Sequence, residues 1–122
     1  MRTKDKTKLI HKSLYEMQAE ICSALASPVR IQILDLIAEK EMTSTELLEV
    51  LEIPKANLSQ HLTVLKDAGI LNSRKEGLYQ YLSLALPKIK DACQLVRGIL
   101  AERIESEEKK NLALIKQLKS QK

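Results

Sequence analysis

Phenylalanine and tryptophan are absent from the chain, and Tyr15, Tyr79 and Tyr81 are its whole aromatic complement. A core built without large rings has to be aliphatic, and the Leu, Ile and Ala that fill the apolar positions favour helices. So few aromatics argue against a base-stacking platform of the kind that grips single-stranded RNA, whereas a double-stranded target needs none. Cysteine is scarce too. Cys22 and Cys93 lie far apart with no Cys-x-x-Cys partner, so neither a zinc ribbon nor a disulfide framework is readable, and a reducing compartment fits. No apolar run approaches the roughly 20 residues that span a bilayer. Met1-Arg2-Thr3-Lys4-Asp5-Lys6 leads into an amphipathic pattern instead of a signal-peptide core. The expectation is a cytoplasmic protein with no membrane association. A Gly-rich phosphate loop, a nucleophile elbow and a carboxylate pair with a histidine are also missing, so no enzyme is expected.

What is present, 122 residues with 44% hydrophobic and 30% charged side chains, has the size and composition of one globular domain. The reading is a single domain over residues 1–122, with its core in residues 10–100 and a helical extension over 101–122. The net charge of +4 permits a polyanionic partner without demanding one. Its distribution is more informative, because residues 28–52 carry −4 while every other stretch is basic.

Apolar residues at helical spacing, Leu9 or Ile10, Leu14, Met17, Ile21 and Leu25, predict a first helix from about Lys8 to Leu25. Ser27-Pro28 caps and opens a second through Ile31, Ile33, Leu34 and Ile37. Thr43-Ser44-Thr45-Glu46 has the spacing of a capping box before Leu47, Leu48 and Leu51. Pro54 interrupts the pattern, and a fourth helix carries Leu58, Leu62 and Leu65 until Gly69 stops it. From Ile70 the period changes to that of a hairpin: Ile70–Arg74 and Leu78–Leu84 flank the connection Lys75-Glu76-Gly77. Pro87 opens a last helix through Ile89, Ala92, Cys93, Val96, Ile99 and Leu100, with a pattern running on through Ile104, Leu112, Ile115 and Leu118.

This order, helices with a tight turn before the fourth and then a hairpin, is that of a winged helix-turn-helix: mainly α with a small β-hairpin wing. With its leucines turned to the core, the helix from about Lys55 to Ala68 would present Lys55, Asn57, Ser59, Gln60 and Thr63 outward, where amides can pair with adenine and Lys and hydroxyls can reach guanine or phosphate. Arg74 and Lys75 near the hairpin tip would grip the backbone. A competing reading keeps the fold as a helical protein-interaction module, with Ile104 to Leu118 as a coiled-coil seam.

The stretches Ala24-Leu25-Ala26-Ser27-Pro28-Val29-Arg30-Ile31-Gln32-Ile33-Leu34, Leu58-Ser59-Gln60-His61-Leu62-Thr63-Val64-Leu65-Lys66-Asp67-Ala68-Gly69-Ile70-Leu71 and Arg74-Lys75-Glu76-Gly77-Leu78-Tyr79-Gln80-Tyr81 closely resemble the arsenic-repressor (ArsR/SmtB) family of winged-helix regulators. The resemblance spans roughly residues 10–100. It implies a homodimeric repressor, dimerising through its first and last helices, that binds double-stranded operator DNA and is released by a small inducer. It places Ser59, Gln60 and His61 at recognition positions, with His61 supporting the helix or touching phosphate. Pro54-Lys55 departs from the Ser-Gln pair common at that place, which turns Lys55 toward phosphate.

Members that sense zinc carry ligands where this chain has Leu86, Lys88, Ile99 and Glu102, and of these only Glu102 can coordinate. Members with a Cys-x-Cys in the third helix would need cysteines at Thr43 and Thr45. His11 and His61 have no carboxylate–histidine spacing suited to zinc. No metal site and no cofactor are therefore expected. Cys22 on the first helix and Cys93 on the last remain as effector candidates, a thiol pair that an oxidant or reactive sulfur species could bridge. Two readings compete with it: both thiols are small buried apolar residues, or the same repressor fold takes another ligand or a metal as its inducer.

Overall fold

The computed structural model describes residues 3–120, with side chains from Ser13 onward. Its elements run α1 (Thr3–Leu25), α2 (Pro28–Glu39), β1 (Met42–Thr43), α3 (Ser44–Leu51), α4 (Lys55–Asp67), β2 (Leu71–Glu76), β3 (Tyr79–Leu84) and α5 (Lys88–Ser120). The chain divides into two compact units, one ending at Ile89 and the other starting at Lys90, so the division falls inside α5. Leu9, Ile10 and His11 lie outside the described side chains.

Local chemistry explains most boundaries in the first unit. Ser27 accepts a hydrogen bond from the Arg30 N–H, and Pro28 takes the first helical position of α2. The capping box of α3 is complete: Thr43 Oγ1 accepts from the Glu46 N–H at 3.1 Å, while Glu46 Oε1 accepts from the Thr43 N–H at 3.1 Å and its hydroxyl at 3.0 Å. At the end of α4, Gly69 takes φ 75°, its N–H donates to the Lys66 carbonyl, and the Ile70 N–H donates to the Leu65 carbonyl. These two bonds form a Schellman motif, closed by burial of Leu65 and Ile70.

The core is aliphatic throughout: Ile33, Leu34 and Ile37 from α2, Leu47 from α3, Leu58, Leu62 and Leu65 from α4, and Met42, Ile70, Leu71 and Leu82 around the sheet. Leucines at i, i+4 and i+7 stack on one side of α4 and leave its opposite side to solvent.

Two features of the sheet differ from expectation. It has three antiparallel strands, ordered β1-β3-β2, because Met42 and Thr43 pair with Leu82 and Tyr81. A two-residue strand has no period to detect, and Thr43 also serves as the cap of α3. The hairpin is tighter as well. The ladder continues to Glu76↔Tyr79, and only Gly77-Leu78 form the turn, with Gly77 at φ 63°. Two-residue turns with positive φ match the twist of paired strands, so the strands extend to them.

Glu46 allows a test of the α3 cap. Hydrogen bonding to the Thr43 backbone, then to its side chain, with a smaller pull from Lys40, holds this carboxyl below its ordinary value of 4.5 against a small opposing desolvation. A group lowered on folding contributes stability that is complete above its unfolded value and is lost as pH falls through the folded one. The urea midpoint of the wild type should therefore drop more steeply below pH 4.5 than that of Glu46→Gln, which keeps the box geometry but takes up no proton. Superimposable acid limbs would remove Glu46 from the account.

Candidate nucleic-acid interface

The turn between α3 and α4 is Glu52-Ile53-Pro54. Glu52 closes α3 in the left-handed region, at φ 52° and ψ 44°, and donates its N–H to the Leu48 carbonyl. That conformation costs about 1–2 kcal/mol in a residue with a Cβ, and it turns the chain sharply enough for α4 to start three residues later. Pro54 then stands at the N-cap of α4 with no side-chain hydrogen bond to the helix. The first-turn N–H groups of α4 thus carry no side-chain cap, which leaves their partial positive charge for an anion.

Lys55, Asn57, Ser59, Gln60 and Thr63 are all exposed, as expected. Gln60 projects almost opposite the buried leucines, with Ala56 and Thr63 beside it and Asn57 and Ser59 on the flanks. The Thr63 hydroxyl donates to the Ser59 carbonyl at 2.9 Å, which spends its proton inside the helix and leaves its methyl and lone pairs outward. Ala56 is a position that sequence reasoning passed over: its methyl is exposed near the open helix start, where contact with a thymine methyl is sterically possible. An exposed alanine carries no sequence signal.

His61 sits differently. It is half-buried, and its Nδ1 lies 3.2 Å from Arg30 Nη1. A guanidinium only donates, so Nδ1 accepts. Arg30 also donates from Nε to the Ala24 carbonyl at 2.7 Å and from Nη2 to the Ser23 carbonyl at 3.2 Å. One side chain of α2 therefore caps the C-terminus of α1 and braces α4.

The opposite end of α4 borders an acidic groove. Between α1 and this end lies a groove of about 540 Å³, lined by Ala19, Ser23, Ala24, Val64 and Ala68 together with the carboxylates Glu20 and Asp67. The two carboxylates are of the sign that repels phosphate, while Lys66 in the last turn of α4 is basic.

In the wing, alternation separates the two cations. Lys75 is exposed and stands on the sheet face that carries buried Leu71 and Leu82, whereas Arg74 stands on the other. On Lys75's face Gln80 donates to Ser73 Oγ at 2.7 Å. Arg74 is engaged within the protein: Nη2 pairs with Glu41 at 2.8 Å, Nη1 with Glu76 at 3.2 Å, and the guanidinium lies 4.6 Å from the centre of the Tyr81 ring. It ties the wing to the segment preceding β1. Leu78, at the turn, is fully exposed.

Cys22 is exposed on α1, and Cys93 is half-buried on α5. Among the described residues no group of three His, Cys, Asp or Glu side chains could hold a metal ion. No single described helix is long and apolar enough to cross a membrane.

Comparison with known proteins agrees with this geometry. A helix-turn-helix domain family matches residues 25–74. The uncharacterized HTH-type transcriptional regulator Rv0081 of Mycobacterium tuberculosis is 38% identical over 89 residues, 72% of this chain and 78% of the relative. Its crystal structure superimposes with a TM-score of 0.71 over 77% of this chain and 95% of that one, at 36% identity. The transcriptional repressor SdpR of Bacillus subtilis is 32% identical over 72 residues, 59% of this chain and 80% of the repressor. The homodimeric winged helix-turn-helix domain of Mb0332 from Mycobacterium bovis, described as a possible ArsR-family regulator, aligns with a TM-score of 0.71 at 29% identity, covering 79% of this chain and 89% of that one. With its three-stranded wing, its helix-turn-helix and these relatives, the chain belongs to the ArsR/SmtB family of winged helix-turn-helix transcriptional regulators.

Proposed function

We propose that the protein is a homodimeric repressor that reads double-stranded operator DNA through the N-terminal half of α4. The observation that carries this reading is the exposed row of Lys55, Ala56, Asn57, Ser59, Gln60 and Thr63 around an uncapped helix start, with an acidic groove beside the helix's far end. Gln60 and Asn57 would read base edges, Ser59 and Thr63 would support them, and Lys55 and Lys75 would hold phosphate. Arg74 would set the wing's direction, and any phosphate contact it makes competes with Glu41. His61 would act by bracing the helix. The exposed apolar residues Leu14 and Met17 on α1 and Leu95 and Ile99 on α5 support dimerisation through these two helices. Release by a small thiol-reactive inducer at Cys22 and Cys93 is the effector reading; it is supported by the exposure of Cys22, which leaves its thiol open to reagents.

Binding to a duplex from upstream of the protein's own gene tests the whole reading. Gln60→Ala should weaken specific binding by about 10- to 100-fold, with the salt dependence unchanged. Lys75→Ala should weaken all sequences alike and lower the salt slope by about one. Oxidant or polysulfide should release the wild type but neither Cys22→Ser nor Cys93→Ser. Absence of sequence-selective binding at low salt would sink the repressor reading, and equal release of all three proteins would sink the thiol reading alone.

A further inference from the structure

Arg74 is a wing cation whose charge is already answered within the protein. Its Nη2 lies 2.8 Å from Glu41 Oε1 and its Nη1 3.2 Å from Glu76 Oε2, with the guanidinium carbon 4.6 Å from the centre of the Tyr81 ring. The strand register gathers these groups on one face of the sheet. Arg74 stands opposite Tyr81, and Tyr81 opposite Thr43, two residues after Glu41. Glu76 follows Arg74 by two residues on β2 and so shares its face. The neighbouring Lys75 makes no ion pair among the described residues.

We infer that Glu41 and Glu76 stand in for DNA phosphate on Arg74: they occupy its guanidinium in the free protein and give it up to a backbone phosphate when the wing docks. The inference rests on the repressor reading above and adds to it the residues that hold its affinity down. A carboxylate and a phosphate present the same pair of acceptor oxygens to the arginine fork, so one takes the place of the other. A phosphate added without displacing Glu41 would lie against a charge of its own sign.

The exchange is accessible. The side chains of Arg74, Glu41 and Glu76 are 49%, 41% and 69% exposed, so the fork can change partners by side-chain rotation with no unfolding. Exposed pairs of this kind are weak and screened by salt, whereas a phosphate contact gains from the counterions it releases. DNA therefore wins the arginine, but by less than it would if Glu41 were absent. Breaking the Glu41 pair does not free the wing, because β2 is held to β3 over six residues, β3 to β1, and Arg74 keeps Glu76 and Tyr81. Lys75, with no carboxylate to surrender, is an unconditional phosphate contact, while that of Arg74 is reduced by the strength of its tie.

A double-mutant cycle on the full chain tests the exchange, with a duplex from upstream of the protein's own gene and a scrambled duplex of the same composition. At low salt Glu41→Gln should tighten binding by about 3- to 5-fold more with Arg74 present than in an Arg74→Ala background. The coupling should be the same on both duplexes, since phosphate carries no sequence, and should fade at high salt. Far-UV circular dichroism shows whether each variant keeps its fold. Equal gains in both backgrounds would make Glu41 an ordinary surface charge, and weaker binding by Glu41→Gln would make it a strut for the wing; either result overturns the proposal and leaves the repressor reading standing. Coupling on two duplexes that the wild type binds equally well would support the exchange and remove the operator reading. Failure to bind either duplex at low salt would remove both.

Discussion

Replacing Arg30 by alanine is expected to destabilise the fold by about 2–3 kcal/mol, as a lower urea midpoint at unchanged slope. The residue is half-buried and makes three directed contacts, to the Ala24 and Ser23 carbonyls and to His61 Nδ1. Those carbonyls belong to the last turn of α1, where a cation also opposes the helix dipole. Hydrogen bonds to charged groups contribute about 1.5–3 kcal/mol each when isolated. Here they share one donor and part of it meets water, so the sum is well below three times that. Arg30→Lys should recover only a minor part, since a single ammonium cannot span two carbonyls and an imidazole. His61→Ala should cost less than Arg30→Ala, because it leaves the cap on α1 in place. A change below about 0.5 kcal/mol in Arg30→Ala, the scale of ordinary surface substitutions, would show that the brace is not energetically significant.

Leu65→Ala should be at least as damaging, at about 2–5 kcal/mol. Leu65 has no exposed surface, and its backbone carbonyl accepts the Ile70 N–H that closes α4. Truncation leaves a cavity between α4 and the sheet, lined by aliphatic groups with no ring large enough to slump into it. Small domains hold only about 5–15 kcal/mol in total, so this one change could remove a third or more of the margin. The neighbouring Val64→Ala, at a partly exposed position, is the control and should cost under about 1 kcal/mol. Comparable losses at both positions would mean that α4 is not seated by its leucines.

Much of this architecture was legible because it is local. The Thr43–Glu46 box, the Gly69 stop and the leucines of α4 each declare themselves within a few residues, and the structure places all three as expected. What escaped is long-range. Arg30 meets His61 from 31 residues away, and Arg74 meets Glu41 from 33 away. Neither pairing leaves a period or a motif in the chain. The consequence for the interface is direct: sequence spacing puts Arg74 and Lys75 together as adjacent cations, while pleating and Glu41 send them to opposite faces with different work. β1 escaped for a similar reason, since its two residues are a strand only because Tyr81 and Leu82 lie alongside. The left-handed Glu52 is also invisible in composition, because a glutamate there gives no hint of the turn a glycine would announce.

The cation–aromatic contact in the wing also makes the molecule its own spectroscopic probe. Two of its three tyrosines, Tyr79 and Tyr81, lie on β3, and Tyr81 is overlaid by the Arg74 guanidinium. With no tryptophan to drain their excitation by energy transfer, these phenols dominate the emission of the unlabelled protein. Any event that pulls Arg74 off Tyr81 is thereby converted into a change of native fluorescence at the wing.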